Sequence, residues 1–270
     1  MELVTMHTHT NYTGHGHGTV AELVDAAAAA KLGAIAVTEH YPMSAAMDPD
    51  NVVSMAWDRL PDYLIDIAAA AAAHPEMQVI PGCEIDWLGG QEDRDFSALD
   101  FSNFIHVLGS VHYLDGWAFD DPAQKARWHD VGVDSVWRRY FEVWCQAASC
   151  TDMPFTCMAH PDLVKKFGYR PSFNPQPLYD EAAEAVQSSG RMVEVNTSGL
   201  TYACAELFPA PDLLRTFCRA GIPCSIGTDA HDPAVVDRNL MPGLAAMYEA
   251  GYRCVTVPTS TGDRRQIALE

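Results

Sequence analysis

Residues 3–17 of this chain read LVTMHTHTNYTGHGH, and the rest of the sequence is organised around them. The apolar run Leu3–Met6 leads into His7 and His9, and a loop with glycines then brings His15. Because alternate residues of a β-strand point to the same side, His7 and His9 present two imidazoles on one face. Two neutral imidazole nitrogens on one face can bind one metal ion. The sequence therefore predicts a first strand that ends in metal ligands.

Strand-like and helix-like segments alternate along the rest of the chain. Parallel strands need crossover helices, so seven or eight such units predict an α/β fold with a parallel sheet closed into a barrel. The predicted strands are Leu3–Met6, Ala34–Thr38, Val79–Ile85, Phe104–Val111, Phe155–Met158, Met192–Val195, Pro223–Ile226 and Tyr252–Val257. The predicted helices are Val20–Leu32 (N-cap Thr19, stop Gly33), Leu60–Ala73, Val133–Ala148, Leu178–Ser188, Pro211–Ala220 and Leu244–Ala250. The long irregular stretches Met43–Asp58 and Gly89–Asn103 are expected to overhang the site. No linker divides the chain, and we expect one domain over residues 1–270.

The later strands end in the same kinds of residues as the first. These strand-end residues are His40, Glu84, His112, His160, Asp229 and His231. Any one of them alone could be an ordinary buried or capping residue. A cluster of buried imidazoles and carboxylates without a metal is costly, however, unless each group is paired. In such barrels the chemistry lies at the carboxyl ends of the strands, so the set predicts a metal site there.

Composition and charge limit the possible partners. The chain has 270 residues, 48% of them hydrophobic, and a formal net charge of −19, which argues against binding to nucleic acid. No apolar run approaches the ~20 residues that a membrane span needs, and no basic region precedes an apolar stretch at the N-terminus. The eight cysteines include no C-x-x-C and are expected to be free thiols. We expect a cytoplasmic protein, and the sequence does not indicate its oligomeric state. A cleft that holds several metal cations could still attract a small anion, because the ions dominate the local field.

The motifs, in their order, resemble those of the PHP (polymerase and histidinol phosphatase) superfamily. The resemblance rests on segments spread over nearly the whole chain: residues 7–15, 38–40, 82–84, 109–112, 159–161 and 227–231. Residues 109–121, 160–167 and 194–200 are similar to the monofunctional histidinol-phosphate phosphatases in particular. The family implies a distorted (β/α)7 TIM-like barrel and a phosphomonoesterase that hydrolyses L-histidinol phosphate.

The resemblance also implies how the ligands divide among two or three divalent transition-metal ions. His7, His9, Glu84 and Asp229 would hold one ion, and Glu84, His112 and His160 a second. His15, His40 and His231 would hold the third. Nitrogen and carboxylate ligands suit zinc, iron or manganese. A hydroxide between two cations would attack phosphorus, with Glu84, Asp229 and His231 as the candidate catalytic residues and the general acid unassigned.

The chain departs from this family at its phosphate-binding residues. Thr201 occupies a position where related enzymes usually carry an arginine. Lys165 occupies a second position where they often have an arginine. Lys165 and Thr201 are therefore candidate substrate-binding positions, although Lys166 or Arg170 could supply the missing charge. Trp117 could wall the pocket, and His17 could support His15 or line the cleft.

Three alternative functions stay open at this point. The chain could be a PHP phosphatase of another small phosphate ester, or a phosphodiesterase or nuclease of the same superfamily. It could also be a metal-binding barrel without catalytic activity.

Overall fold

Seven parallel strands form a nearly closed barrel in this computed structural model, which describes residues 1–89, 101–260 and 262–269. The strands are β1 (Leu3–Thr5), β2 (Leu32–Val37), β3 (Gln78–Asp86), β4 (His106–Ser110), β5 (Tyr113–Leu114), β6 (Trp117–Ala118), β7 (Cys157–Met158), β8 (Met192–Asn196), β9 (Cys224–Gly227), β10 (Cys254–Pro258) and β11 (Arg264–Ala268). The helices are α1 (Val20–Ala29), α2 (Leu60–Ala73), α3 (Arg127–Val131), α4 (Val133–Ser149), α5 (Gln176–Ser189), α6 (Pro211–Arg219) and α7 (Leu240–Ala250). The barrel order is β1-β2-β3-β4-β7-β8-β9.

The barrel closes where the first strand meets the last. The Met6 amide donates to the Ile226 carbonyl at 2.8 Å, and the Asp229 amide donates to the His7 carbonyl at 2.9 Å. These bonds place the ligand residues near the start of the chain, His7 and His9, beside those near its end, Asp229 and His231. The α/β barrel predicted from the alternation of segments is confirmed, with seven parallel strands in it.

The strands of the wall are largely apolar because both of their faces are covered. All five residues of β4 and of β8 are buried. Outside the wall, α4 turns Val136, Tyr140 and Trp144 inward at helical spacing. In the described chain, no helix combines the length and apolar character that a bilayer crossing requires.

The predicted end of the first helix and its predicted stop residue were wrong, and the last helix begins at Leu240 rather than Leu244. Helix α1 ends at Ala29 rather than Leu32, since Lys31 takes a left-handed backbone (φ 61°) and Leu32 already pairs with Leu3 in the sheet. Gly33 therefore lies inside β2 and does not stop the helix, while Thr19 does cap its start through the amide of Glu22.

The strand predicted over Tyr252–Val257 is not an eighth strand of the barrel. It forms as β10 and pairs antiparallel with β11 in a separate two-stranded sheet. Of the two stretches expected over the site, Met43–Asp58 contributes Met47, Val52 and Val53 to the cavity above the barrel. Most of the other, residues 90–100, lies outside the described residues.

Candidate metal centre

Four ligand atoms from three strand ends converge at the top of the barrel. His7 and His9 follow β1, and their Nε2 atoms lie 3.0 Å apart. Glu84 on β3 places Oε2 at 3.2 Å from His7 Nε2 and 3.4 Å from His9 Nε2. Asp229, just after β9, places Oδ1 at 3.6 and 3.3 Å from the same two nitrogens. All four side chains therefore face one point.

These separations match those of a tetrahedral metal site. With metal–ligand bonds of about 2.1 Å, the ligand atoms of a tetrahedral zinc site lie about 3.4 Å from each other. The Nδ1 atom of His7 faces Glu194 at 2.9 Å and that of His9 faces Glu39 at 3.4 Å, so both Nε2 atoms can donate lone pairs to a cation. The donor set thus fits a divalent metal ion.

Glu84 also faces a second group of ligand-type side chains. Its Oε1 lies 2.9 Å from His160 Nε2 and 3.9 Å from His112 Nε2, so its two oxygens point to different groups. His160, after β7, and Asp229 both hold left-handed backbone conformations (φ 25° and 54°). Such strain is tolerated where neighbouring structure imposes it, most often at functional sites.

A third group lies at the rim of the same cavity. His9, His40 and His231 each offer a ligand atom, and these atoms lie within 4.8 Å of one another. His15 Nε2 approaches His231 Nε2 to 3.1 Å, while its Nδ1 faces the Val52 carbonyl at 2.9 Å. His9 therefore stands between the first and third groups.

Buried carboxylates behind the histidines fix their orientation, and sequence reasoning did not single them out. Glu194 Oε1 lies 2.9 Å from His7 Nδ1, and its Oε2 accepts from the His160 amide. Asp86 Oδ1 lies 2.7 Å from His112 Nδ1. Such partners set the imidazole tautomer and leave the other nitrogen for a metal. One signal was available: Asp86 follows Glu84 by two residues on a strand and so shares its face.

The electrostatics of the cluster favour added positive charge. Burial alone would lower the pKa of His7, but the carboxylates of Glu194, Asp229 and Glu84 raise it to about 10. Burial likewise opposes the charge on His112, and Asp86 raises its pKa to about 10. Protein carboxylates here outweigh the cost of burying charge, which is the setting in which metal cations bind.

The cavity beside these groups contains a single lysine and no arginine among the described residues. That lysine is Lys166, whose Nζ lies 2.8 Å from Asp120 Oδ2 and 4.8 Å from the centre of the Tyr202 ring. The cavity encloses about 760 Å³ and opens to solvent between the loops that follow β2, β4, β7 and β8.

Of the four predicted substrate-binding residues, the structure places none in the lining of this cavity. The Lys165 side chain is fully buried, and its Nζ donates to both oxygens of Asp162 and to the Leu207 carbonyl. This corrects the prediction for Lys165, because its ammonium is already satisfied away from the site. Trp117 is buried against Trp128 rather than walling the pocket.

Thr201 and His17 are both exposed at the surface of the protein. The Thr201 hydroxyl donates to the Ser198 carbonyl, and the next residue, Tyr202, faces the cavity instead. His17 donates its backbone amide to the His231 carbonyl, so its contact with the ligand set is through the main chain.

Comparisons with known proteins agree with this architecture. The model of the PHP domain family matches residues 5–198. A Deinococcus radiodurans protein named "Probable histidinol-phosphatase" is 33% identical over 256 residues, which cover 94% of this chain and 96% of that protein. The histidinol-phosphatase of Bacillus subtilis is 25% identical over 247 residues, covering 83% and 92%. In fold, the chain resembles the crystal structure of Lactococcus lactis histidinol phosphate phosphatase in complex with zinc, L-histidinol and phosphate (TM-score 0.78, 19% identity, 96% and 97% covered).

Proposed function

The chain belongs to the PHP domain family, and from that premise we propose that it is a metal-dependent phosphomonoesterase that hydrolyses L-histidinol phosphate to L-histidinol and phosphate. The observation that carries the proposal is the convergence of His7, His9, Glu84 and Asp229 on one point, with the two oxygens of Glu84 facing different groups. A curated relative of almost the same length bears the name of that activity.

We assign the metal ligands by group. His7, His9, Glu84 and Asp229 would hold one ion, and Glu84, His112 and His160 would hold a second. His40 and His231, with His15, would hold a third ion. Two or three ions of zinc, iron or manganese suit these nitrogen and carboxylate donors. When bound, such ions supply Lewis acidity toward the phosphoryl oxygens and lower the pKa of a water that serves as nucleophile.

The chain's own residues prepare the site in three ways. Glu194 and Asp86 hold the rings of His7 and His112 so that Nε2 of each faces inward. The Met43–Asp58 stretch covers the rim and directs His15 through the Val52 carbonyl. The cavity admits a small ester, and its open side lets product leave.

No Ser or Cys nucleophile is needed for this reaction, and two buried thiols are poorly suited to act as one. Burial raises the pKa of Cys157 and Cys224, which keeps them as thiols at neutral pH. All eight cysteines are free.

The direct test is phosphate release from L-histidinol phosphate by metal-loaded protein, beside p-nitrophenyl phosphate and bis-p-nitrophenyl phosphate. We expect the monoesters to be hydrolysed faster than the diester by orders of magnitude, because a dianionic phosphate makes the best use of several cations. Similar rates on monoester and diester would point to a phosphodiesterase. Metal binding without hydrolysis of any ester would leave a metal-binding barrel.

A further inference from the structure

One ion pair in the cavity is not accounted for by the metal groups. Asp120 lies in the loop after β6, and Lys166 follows the short helical turn Leu163–Lys165 after β7. Their charged atoms are 2.8 Å apart, and each side chain is 16% exposed, in both cases into the cavity. The two charges thus face the space where a substrate would lie.

Each residue of the pair keeps a hydrogen-bonding group that is available to a ligand in that space. Lys166 is held by Asp120 and by the face of Tyr202, and an ammonium has three donors. Lys166 donates a hydrogen bond to Oδ2 of Asp120 but not to Oδ1. Among the described residues, none donates a hydrogen bond to Oδ1. The neighbouring Asp121 differs, since its two oxygens accept from the Ala123 amide and the Gln124 side chain.

The pair lines the same cavity as His112, His160 and Asp229 of the metal groups. Burial raises the pKa of Asp120, whereas the ammonium of Lys166 lowers it. The charges of His112 and His160 add to the effect of Lys166, so the pKa of Asp120 lies below its usual value. Asp229 in turn contributes to the raised pKa of Lys166. A phosphate held by the metal groups would lie in the cavity that Lys166 and Asp120 also line, so both charges of the pair face it.

We propose that Asp120 and Lys166 form a dyad that recognises a phosphate ester bearing an ammonium group on the carbon next to the ester carbon, Lys166 binding the phosphate and Asp120 the ammonium. This inference rests on the proposed function and deepens it, because L-histidinol phosphate is an ester of this class. Its opposite charges are separated by two carbon atoms and the ester oxygen. The dyad presents the complementary charges side by side and so selects amino-alcohol phosphates over neutral alkyl phosphates of the same size.

A simpler role for Asp120 would be to hold Lys166 in place. In that case replacing Asp120 weakens the binding of every phosphate ester equally. Recognition of the ammonium instead makes the loss selective for the amine-bearing ester. The ratio of kcat/KM between two matched esters separates these roles.

The experiment compares L-histidinol phosphate with its analogue that lacks the amine, 3-(imidazol-4-yl)propyl phosphate. For the unmodified enzyme we expect kcat/KM to favour the amine by about 10- to 100-fold, the usual effect of one charge-assisted hydrogen bond. Asp120→Asn and Asp120→Ser should lose most of this preference. Lys166→Met should lower kcat/KM for both esters by a similar factor and keep the preference. Asp121→Asn, which removes the same charge from the adjacent residue, should keep the preference as well.

A binding measurement on the unmodified protein needs neither turnover nor a variant. O-phosphoethanolamine and propyl phosphate have the same size and differ in the ammonium, so the first should raise the Tm of the metal-loaded protein at lower concentration. Hydrolysis of histidinol phosphate and its analogue at equal rates, with equal protection by the two small esters, would overturn the dyad and leave the proposed function standing. Preferential protection by O-phosphoethanolamine, without hydrolysis of histidinol phosphate, would support the dyad and remove the proposed substrate.

Discussion

The Glu84 carboxylate occupies the position on which both inner ligand groups depend. It is 1% exposed, and its two oxygens face His7 and His9 on one side and His160 on the other. Burial opposes its charge, yet the surrounding imidazoles hold its pKa well below the usual value. A carboxylate so placed can serve two cations at once, whereas an amide cannot.

Replacing Glu84 with Gln should therefore remove metal and activity together. The amide keeps the volume but loses the charge and one acceptor, so the loss of metal affinity should exceed the 10- to 100-fold that is typical when an outer partner is changed. Metal content per chain and phosphate release are the two measurements. Glu249→Gln on the exposed face of α7 is the matched control. Full metal content and normal turnover in Glu84→Gln would contradict the assignment.

At the scale of elements, the Met43–Asp58 stretch and the third ligand group depend on one buried side chain. Asp48 accepts from the amides of Val52, Val53 and Ser54, at 2.7–3.0 Å. These bonds hold the Val52 carbonyl against His15 Nδ1. The loop thus acts as the outer support of a histidine that lies on another segment.

We expect Asp48→Ala to loosen this support and to weaken selectively the metal bound by the third group. A loss of about 10-fold in the affinity of one ion is the size typical of a lost outer partner, and the inner ions should remain. Metal titration monitored by elemental analysis at limiting free metal gives the stoichiometry. Asp50→Ala, an exposed residue of the same loop, should keep all ions. An equal loss of every ion from Asp48→Ala would mean that the loop supports the whole barrel top instead.

A second element-scale tie is the buried pair of Lys165 and Asp162. It joins the segment after β7 to the segment before α6, because Lys165 also donates to the Leu207 carbonyl and Asp162 accepts from the Ala210 amide. Burial is the largest influence on both groups and shifts each pKa toward the neutral form. The pair is therefore held together by its own charges and hydrogen bonds.

Lys165→Met should lower the free energy of unfolding by about 3–5 kcal/mol, since it leaves the Asp162 carboxylate buried without its partner. Adding Asp162→Asn should recover part of the loss, because Asn is neutral and tolerates the left-handed backbone at this position (φ 62°). Urea unfolding of the single and double variants measures both effects. An unchanged stability with a raised KM would return Lys165 to a role in substrate binding.

At the scale of the whole molecule, bound metal should contribute to the stability of the barrel. The ligands come from β3 and from the residues after β1, β2, β4, β7 and β9, so ions at these positions would link six of the seven barrel strands. An ion present at a thousand times its dissociation constant adds about 4 kcal/mol to the native state.

Removal of metal should thus lower the Tm by roughly 10 °C for a chain of this size. Differential scanning calorimetry before and after chelation, followed by addition of zinc or manganese, gives the shift and its reversal. The Glu84→Gln variant should respond little to the chelator. A native protein whose Tm does not change on chelation would argue against ions that tie the strands together.

The sequence by itself determined the barrel and the inner ligand set, since both follow from local periodicity. Alternation of apolar strands with amphipathic helices requires a parallel sheet, and ligands at the carboxyl ends of parallel strands must meet at one edge. His7 and His9 share a face for the same local reason. The family resemblance then supplied the division of the ligands, and in the structure Glu84 does face both inner groups.

Only the tertiary structure decided which charged residues face the cavity. Lys165 and Lys166 are adjacent and chemically equal in the sequence, yet the turn after β7 buries the first against Asp162 and directs the second to Asp120. Glu194 meets His7 across 187 positions of sequence, a contact set by barrel closure rather than by any local pattern. Strand β10 leaves the barrel because β9 already closes against β1, which leaves no open edge for it to join. Periodicity reports which face of an element is buried, whereas the partners on that face depend on how distant elements pack.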